Sequence, residues 1–173
     1  MEPTTFLGRV IDDGLDFLTT IGGPLPTDTA RRLLLCIALQ ESGPWLDARY
    51  QNSPAVTPGP ARGWWQFEQG GGVAGVLQHA ASQALARRAC EDLYVVVEPA
   101  AVWRVIEGND LLACTFARLL LWTDPPPLPT TEDSAWDCYM RVWRPGKPHR
   151  DTWTPNWATA TDTVKAGLQK PAG

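Results

Sequence analysis

The sequence predicts an all-α, mainly helical fold with a small β-hairpin or irregular region at 45–70. Apolar residues recur at helical spacing in several segments, which begin at capping residues and end at Gly or Pro. The 173 residues fit one domain that can bury its own core, and neither a repeat nor a linker divides them. We therefore expect a single domain over 1–159 and a flexible C-terminal tail over 160–173.

Two helices are predicted before the irregular region. Residues 5–20 carry apolar side chains at helical spacing, and a Gly-Gly-Pro turn closes this segment. Thr27 or Asp28 is a suitable N-cap for a strongly apolar helix that runs to Ser42, where Gly and Pro end it.

Helices return after the triple glycine that follows the irregular region. An Ala-rich segment predicts a helix over about 73–89, and a shorter helix is predicted over 99–107. Asn109 or Asp110 caps another apolar helix, which reaches about Trp122 before three prolines stop it.

The C-terminal part of the chain predicts one more helix and then irregular structure. Thr130 and Asp133 approximate a capping box for a helix that ends near Trp143. Residues 144–157 are rich in Pro, Thr and Trp, which indicates an ordered loop that wraps back over the body of the domain.

Composition and charge exclude several classes of function. The chain has 15 Lys and Arg against 19 Asp and Glu, and its basic residues are scattered, so nucleic acid is not an expected partner. Acidic residues interrupt the N-terminal apolar stretch, so we expect no signal peptide, and no apolar run has the length needed to span a bilayer. We expect synthesis in a cytoplasm, no membrane insertion and a monomer.

The cysteines, glycines and histidines carry no expected cofactor or nucleophile chemistry. The four cysteines are widely spaced without a CxxC pair, and Cys36 and Cys114 lie in apolar helical runs as core residues. Gly70-Gly71-Gly72 lacks the GK[ST] that a phosphate-binding loop requires. No Ser or Cys stands beside His79 or His149 as a nucleophile, so neither is predicted to be catalytic. We expect no metal and no other cofactor.

Glu41 is the ionisable residue with the most informative position. It follows Leu34 by seven residues, Ile37 by four and Ala38 by three, which places it on the apolar face of the predicted helix. Burial and the negative end of the helix dipole both raise a carboxyl pKa, as a general acid near neutral pH requires. The alternative is a solvated glutamate at a fraying helix end.

Two short motifs carry a family resemblance. Glu41-Ser42 at a helix end, followed later by Gly63-Trp64-Trp65-Gln66, resembles the paired signatures of the lysozyme superfamily, and of family 23 lytic transglycosylases in particular. Trp64-Trp65 stand where that family has a Leu-Met-like apolar pair. The run from Gly63 to Glu68, followed by three glycines, also resembles small bacteriophage cell-wall lysins. The resemblance spans about residues 28–122.

The resemblance implies a lysozyme-like fold with one catalytic carboxyl group. Glu41 would protonate the leaving oxygen and then act as a base while the sugar's own 6-hydroxyl closes a 1,6-anhydro ring. Ser42 and the element from Gly63 to Gln66 are then candidate substrate-binding residues, and Tyr139, the only late tyrosine, is the candidate to face the acid. The family's third motif is poorly kept here, at Ala113-Cys114-Thr115-Phe116.

Several roles in the irregular region have alternatives. A second carboxylate, if the reaction uses one, would be Glu68 or Asp47, although a solvated loop position also explains each of them. Gln66 suits an acetamido group or a sugar hydroxyl, but it could instead cap local backbone. Of Trp64 and Trp65, one ring is expected in the core and the other against a sugar face.

The resemblance, together with the position of Glu41, therefore implies an enzyme that acts on the glycan strands of bacterial peptidoglycan. The expected reaction is lytic transglycosylation at the β-1,4 bond between N-acetylmuramic acid and N-acetylglucosamine. The alternatives are a hydrolytic lysozyme with a second carboxylate, a non-catalytic glycan-binding structural protein of the virion, and an unrelated helical adaptor. We expect either an endolysin, held in the host cytoplasm until it reaches the periplasm or cell wall, or a component carried in the phage virion.

Overall fold

The computed structural model describes residues 1–44, Leu46 and residues 59–168, and within these the chain is mainly helical. The all-α prediction is confirmed. In chain order the elements are α1 Pro3–Phe6, a π-helical stretch Leu7–Asp12, α2 Asp13–Thr20, α3 Asp28–Ser42, β1 Ala61–Arg62, β2 Phe67–Glu68, a π-helical stretch Gln69–Val73 that is kinked at Gly71, α4 Ala74–Gln78, α5 Gln83–Asp92, α6 Pro99–Ile106, α7 Asp110–Trp122, α8 Glu132–Val142 and α9 Arg150–Leu168.

Helix α3 forms the centre of the core. Residues 33–39 are almost completely buried, because α9 packs along one side of the helix while α7 and the N-terminal helical segment pack on others. The predicted N-cap is confirmed: the Thr27 side chain accepts a hydrogen bond from the Ala30 backbone N–H at 3.1 Å. The helix ends at Gly43, whose φ of +79° suits glycine.

The second well-predicted helix is α7. Its N-cap is Asn109, whose side-chain oxygen accepts from the Leu112 backbone N–H at 2.9 Å. Cys114 contacts α2, because Gly14 leaves no side chain in the way: a Cβ there would lie 2.4 Å from the Cβ of Cys114. All four cysteines are buried and reduced, which confirms the core prediction for Cys36 and Cys114.

A small hairpin lies at the end of the region predicted to be irregular. β1 and β2 pair antiparallel, with Ala61 opposite Glu68 and Arg62 opposite Phe67. The tight turn between the strands is closed by the Gln66 backbone N–H, which donates to the Gly63 carbonyl at 3.0 Å. The predicted hairpin within 45–70 is therefore present at 61–68, and most of the remainder of that region lies outside the described residues.

Two predicted helices have different bounds in the structure. The Ala-rich helix over 73–89 is divided into α4 and α5, because the backbone turns extended at His79 and the buried Ser82 hydroxyl donates to the Val76 carbonyl at 2.7 Å. The capping box of α8 uses Thr131 and Ser134 instead of Thr130 and Asp133.

The C-terminal prediction was wrong in a way that affects the site. Residues 150–157, expected in a loop, and residues 160–168, expected in a flexible tail, belong to one long helix, α9. Trp153, Ala160 and Val164 share one face and are buried against the domain, which stabilises the helix despite its many Thr residues. Packed helical structure therefore continues past residue 159, and residues 169–173 lie outside the described part.

Candidate functional site

One large cleft opens on the surface, with a volume of about 1320 Å³. The end of α3 and the hairpin form one part of its wall, and the glycines after β2, together with α4, extend that wall. The end of α7, the last turns of α8 and the loop 143–149 complete the cleft. Sequence-distant elements therefore meet here, as is usual for binding sites in compact domains.

Glu41 lines this cleft from the last turn of α3. Its side chain is half-buried, and its Oε1 accepts a hydrogen bond from the hydroxyl of Tyr139 at 2.7 Å. Burial raises the pKa of Glu41 from its ordinary value of 4.5 to about 7, and the hydrogen bond from Tyr139 limits this rise. The carboxyl group can therefore hold a proton near neutral pH and also release it, as an acid/base group must.

Tyr139 is the partner that the sequence analysis proposed for the acid. It is 3 % exposed, and burial, followed by the charge of Glu41, raises the pKa of its phenol, so the hydroxyl remains a donor. Its ring is stacked on Trp153, with centroids 5.0 Å apart and an interplanar angle of 25°, and it also contacts Trp136 at 5.5 Å. The hydroxyl is therefore held towards Glu41 by aromatic packing.

Trp153 and Gln40 are neighbours of the Tyr139–Glu41 pair that sequence reasoning missed. The Gln40 amide donates to the Thr152 hydroxyl at 2.9 Å and to the His149 carbonyl at 3.0 Å, and its oxygen accepts from the Asn156 amide at 2.9 Å. These bonds fasten the start of α9 to the residue beside Glu41. The helical spacing of Trp153, Asn156 and Ala160 is the feature of the sequence that could have predicted helix α9. The neighbouring Pro and Thr residues obscured it.

Both tryptophans of the second motif are buried, which corrects the expectation that one ring faces a sugar. Trp65 is fully buried, and its indole N–H donates to the Leu34 carbonyl at 2.9 Å. Trp64 is 4 % exposed and donates to the Asp110 carboxylate at 2.9 Å. Trp65 is among the residues that line the cleft, but neither indole ring is exposed enough to act as a platform.

Ser42 and Gly63 support the backbone around the hairpin and do not line the cleft. The Ser42 hydroxyl is buried and donates to the Trp64 carbonyl at 2.7 Å, which joins the end of α3 to the hairpin. Gly63 has a φ of +72°, and a Cβ there would lie 2.7 Å from the Ile106 side chain. Together with Trp64, they stand behind the residues that line the cleft.

Gln66 and Glu68 do line the cleft. The Gln66 side chain is half-buried, and its amide donates to the Gly63 carbonyl at 3.0 Å. Gln66 therefore caps the local backbone and also lines the cleft. Glu68 is exposed. Asp47, the other candidate for a second carboxylate, lies outside the described residues.

Asp124 is a further carboxylate at the cleft, and the sequence analysis missed it. It was interpreted only as part of a helix stop before three prolines. Arg141 binds it through two contacts, at 2.9 and 2.6 Å, and the hydrogen bonds from Arg141 hold the pKa of Asp124 below its ordinary value. The group therefore remains an ionised partner of Arg141 and is unsuited to donate a proton.

Trp143 is a tryptophan that lines the cleft and that the sequence analysis did not single out. It is half-buried, lines the cleft and contacts Phe67 with ring centroids 6.3 Å apart. Its indole N–H donates to the Trp65 carbonyl at 3.0 Å, so the ring is fixed in place.

The third motif of the resemblance does not lie at the cleft. Residues 113–116 are fully buried in α7 and cannot contact a ligand in the cleft.

Within the described parts of the chain, no group of three or more His, Cys, Asp or Glu side chains is arranged to hold a metal ion. Across the same residues, no helix has the length and apolar character needed to cross a bilayer. No protein-family model, curated protein or solved structure matches the chain. A functional assignment therefore depends on the chemistry of the cleft.

Proposed function

We propose that the protein is a peptidoglycan-cleaving enzyme that uses Glu41 as its single acid/base group. The observation that carries the proposal is the half-buried Glu41 carboxyl at the cleft wall, with a pKa raised to about 7 and a 2.7 Å hydrogen bond from Tyr139. A carboxyl group with these properties suits protonation of a glycosidic oxygen. The resemblance at Glu41-Ser42 and at Gly63 to Gln66 points to the same chemistry.

The proposed reaction is lytic transglycosylation at the β-1,4 bond between N-acetylmuramic acid and N-acetylglucosamine. Protonated Glu41 gives its proton to the glycosidic oxygen as the bond from that oxygen to C1 breaks. The resulting carboxylate then takes the proton of the sugar's own 6-hydroxyl, whose oxygen forms the new bond to C1. The products are a 1,6-anhydro sugar and a free hydroxyl on the leaving sugar, and Glu41 regains its proton.

Tyr139 assists both half-reactions as a positioning residue. Its hydroxyl donates to Oε1 of Glu41 and supports the carboxylate that exists between the two proton transfers. Because burial raises the pKa and this hydrogen bond opposes the rise, the carboxyl group is poised to give and take a proton in the neutral range.

Hydrolysis is the second candidate, and the observation in its favour is that Glu68 lines the same cleft. A two-carboxylate hydrolase needs its groups roughly 5–9.5 Å apart on opposite sides of the scissile bond. Asp124 is a poorer second group because Arg141 already binds both of its oxygens.

Mass spectrometry of the fragments released from purified bacterial cell wall tests the proposal. An anhydro product and a reducing-end product differ by one water, so the mass separates transglycosylation from hydrolysis. We expect anhydro fragments from wild type and from Glu68→Gln, and none from Glu41→Gln. Reducing-end fragments that disappear with Glu68→Gln would establish hydrolysis instead. A folded wild-type protein that sediments with cell wall but releases no fragments would be a glycan-binding protein, and the enzymatic proposal would then be wrong.

The biological setting that we propose is bacteriophage infection. The enzyme would act either as an endolysin or as a component of the virion, since both roles require cleavage of the wall. Detection of the chain by mass spectrometry in purified phage particles would support the second setting.

A further inference from the structure

The loop that follows α8 gives the cleft one strongly basic wall. This loop comprises residues 143–149, and its exposed members Arg144, Lys147 and His149 all line the cleft. The chain as a whole is acidic, with a formal net charge of −4, so the positive charges of Arg144 and Lys147 are opposite in sign to the net charge. His79, the other of the two histidines in the chain, lines the cleft as well.

The described carboxylates that line the cleft form no ion pair with Arg144 or Lys147. Arg141 forms an ion pair with the carboxylate of Asp124, so the charges of these two residues cancel each other. Glu41 is engaged with Tyr139. Glu68 is the remaining described carboxylate, and it projects from the hairpin instead of from the basic loop.

The loop is anchored to the rest of the domain at both ends. At one end the Trp143 indole N–H donates to the Trp65 carbonyl, and at the other the Gln40 amide donates to the His149 carbonyl, each at 3.0 Å. The Arg144 Nε–H donates to the Arg141 carbonyl at 3.3 Å, and two prolines restrict the backbone between these points. Because the backbone is anchored on both sides of Arg144 and Lys147, binding of an anion by these side chains costs less conformational entropy than binding by a mobile loop would.

We propose that loop 143–149 makes the cleft selective for glycan strands that carry carboxylate-bearing peptide branches, which Arg144 and Lys147 bind beside the cleaved bond. The inference rests on the proposed function. Where a peptide is attached, the lactyl carboxyl group of N-acetylmuramic acid is held in an amide bond, so the sugars carry no charge for two cations to contact, whereas the peptide branches themselves carry free carboxylates. An unbranched neutral glycan such as chitin would leave both cations without a partner.

The test compares two walls that differ only in charge. Sacculi are purified from a Gram-negative bacterium, whose wall has no teichoic acid phosphates, and half of the sample has its carboxylates converted to amides by carbodiimide and ammonia. Cleavage of both walls is measured for wild type and for the double variant Arg144→Gln/Lys147→Gln. The matched control is Arg104→Gln/Lys165→Gln, which removes the same charge from exposed positions that do not line the cleft.

We expect the double variant to raise the apparent KM on native wall by about three- to tenfold at low ionic strength, as two partly solvated ion pairs would. On amidated wall the double variant should match wild type, and wild type itself should lose a similar factor. High salt should narrow the difference on native wall, because screening weakens exposed pairs. The control variant should follow wild type on both walls.

Two results would overturn the inference while the proposed function stands. One is cleavage of native wall by the double variant with an unchanged KM, and the other is an equal loss on native and amidated wall. Failure of wild type to cleave either wall would overturn the proposed function, and the inference with it. Circular dichroism of both double variants establishes that they are folded.

Discussion

Replacing Glu41 by Gln should change the pH dependence of stability as well as activity. In the folded wild type, burial raises the pKa of Glu41 from 4.5 to about 7, while the unfolded chain keeps the ordinary value. Between these pH values the folded state holds a proton that the unfolded state has released. Wild-type stability therefore falls as pH rises through this window, and glutamine, which does not titrate, removes that fall.

The size of the effect follows from the width of the window. Each pH unit between the two pKa values costs about 1.4 kcal/mol of unfolding free energy, so wild type loses about 3 kcal/mol between pH 4 and pH 8 through this group. Relative to wild type, Glu41→Gln should therefore gain about 3 kcal/mol over the same range. Its amide oxygen can still accept from the Tyr139 hydroxyl, so the fold should be retained.

Urea unfolding followed by tryptophan fluorescence at several pH values measures the difference, and cell-wall cleavage is measured in parallel. Glu68→Gln is the matched control, because it removes an exposed carboxyl group from the same cleft and should not reproduce the trend. A stability difference that stays constant from pH 4 to pH 8 would refute the raised pKa. Activity of the Gln variant above about a tenth of wild type would refute the acid role, since general acid catalysis contributes ~100-fold or more.

Four other substitutions test the surroundings of Glu41. Tyr139→Phe removes the hydrogen bond that limits the pKa of Glu41, so the alkaline fall of kcat/KM should move to higher pH; an unshifted profile would contradict this coupling. Trp64→Ala and Trp65→Ala should each destabilise the domain by about 3–5 kcal/mol in urea unfolding, because both rings are buried; a fully stable variant that has only lost glycan affinity would contradict the core assignment. Gln66→Ala should weaken binding to cell wall in a sedimentation assay while the urea midpoint stays close to wild type, and unchanged binding would place the glycan elsewhere.

Local patterns in the sequence determined the helical architecture and the candidate acid. The bounds of α3, α6 and α7 follow from apolar period and from nearby residues such as Thr27 and Asn109, whose capping bonds reach only three residues along the chain. The same local period places Glu41 on the apolar face of α3, so its raised pKa is an expectation that needs no knowledge of distant residues. Burial of Cys36 and Cys114 follows in the same way.

Only the tertiary structure decided what surrounds Glu41. Tyr139 lies 98 residues away in the chain, and the stacking of Trp153 on Tyr139 depends on a helix whose formation requires burial against α3. The burial of both Trp64 and Trp65 could not be predicted either, since each indole N–H meets a partner more than 30 residues away, at Asp110 and Leu34. Such contacts cannot be predicted from the spacing of residues in the local sequence, because the free energy that stabilises them comes from packing between separate elements.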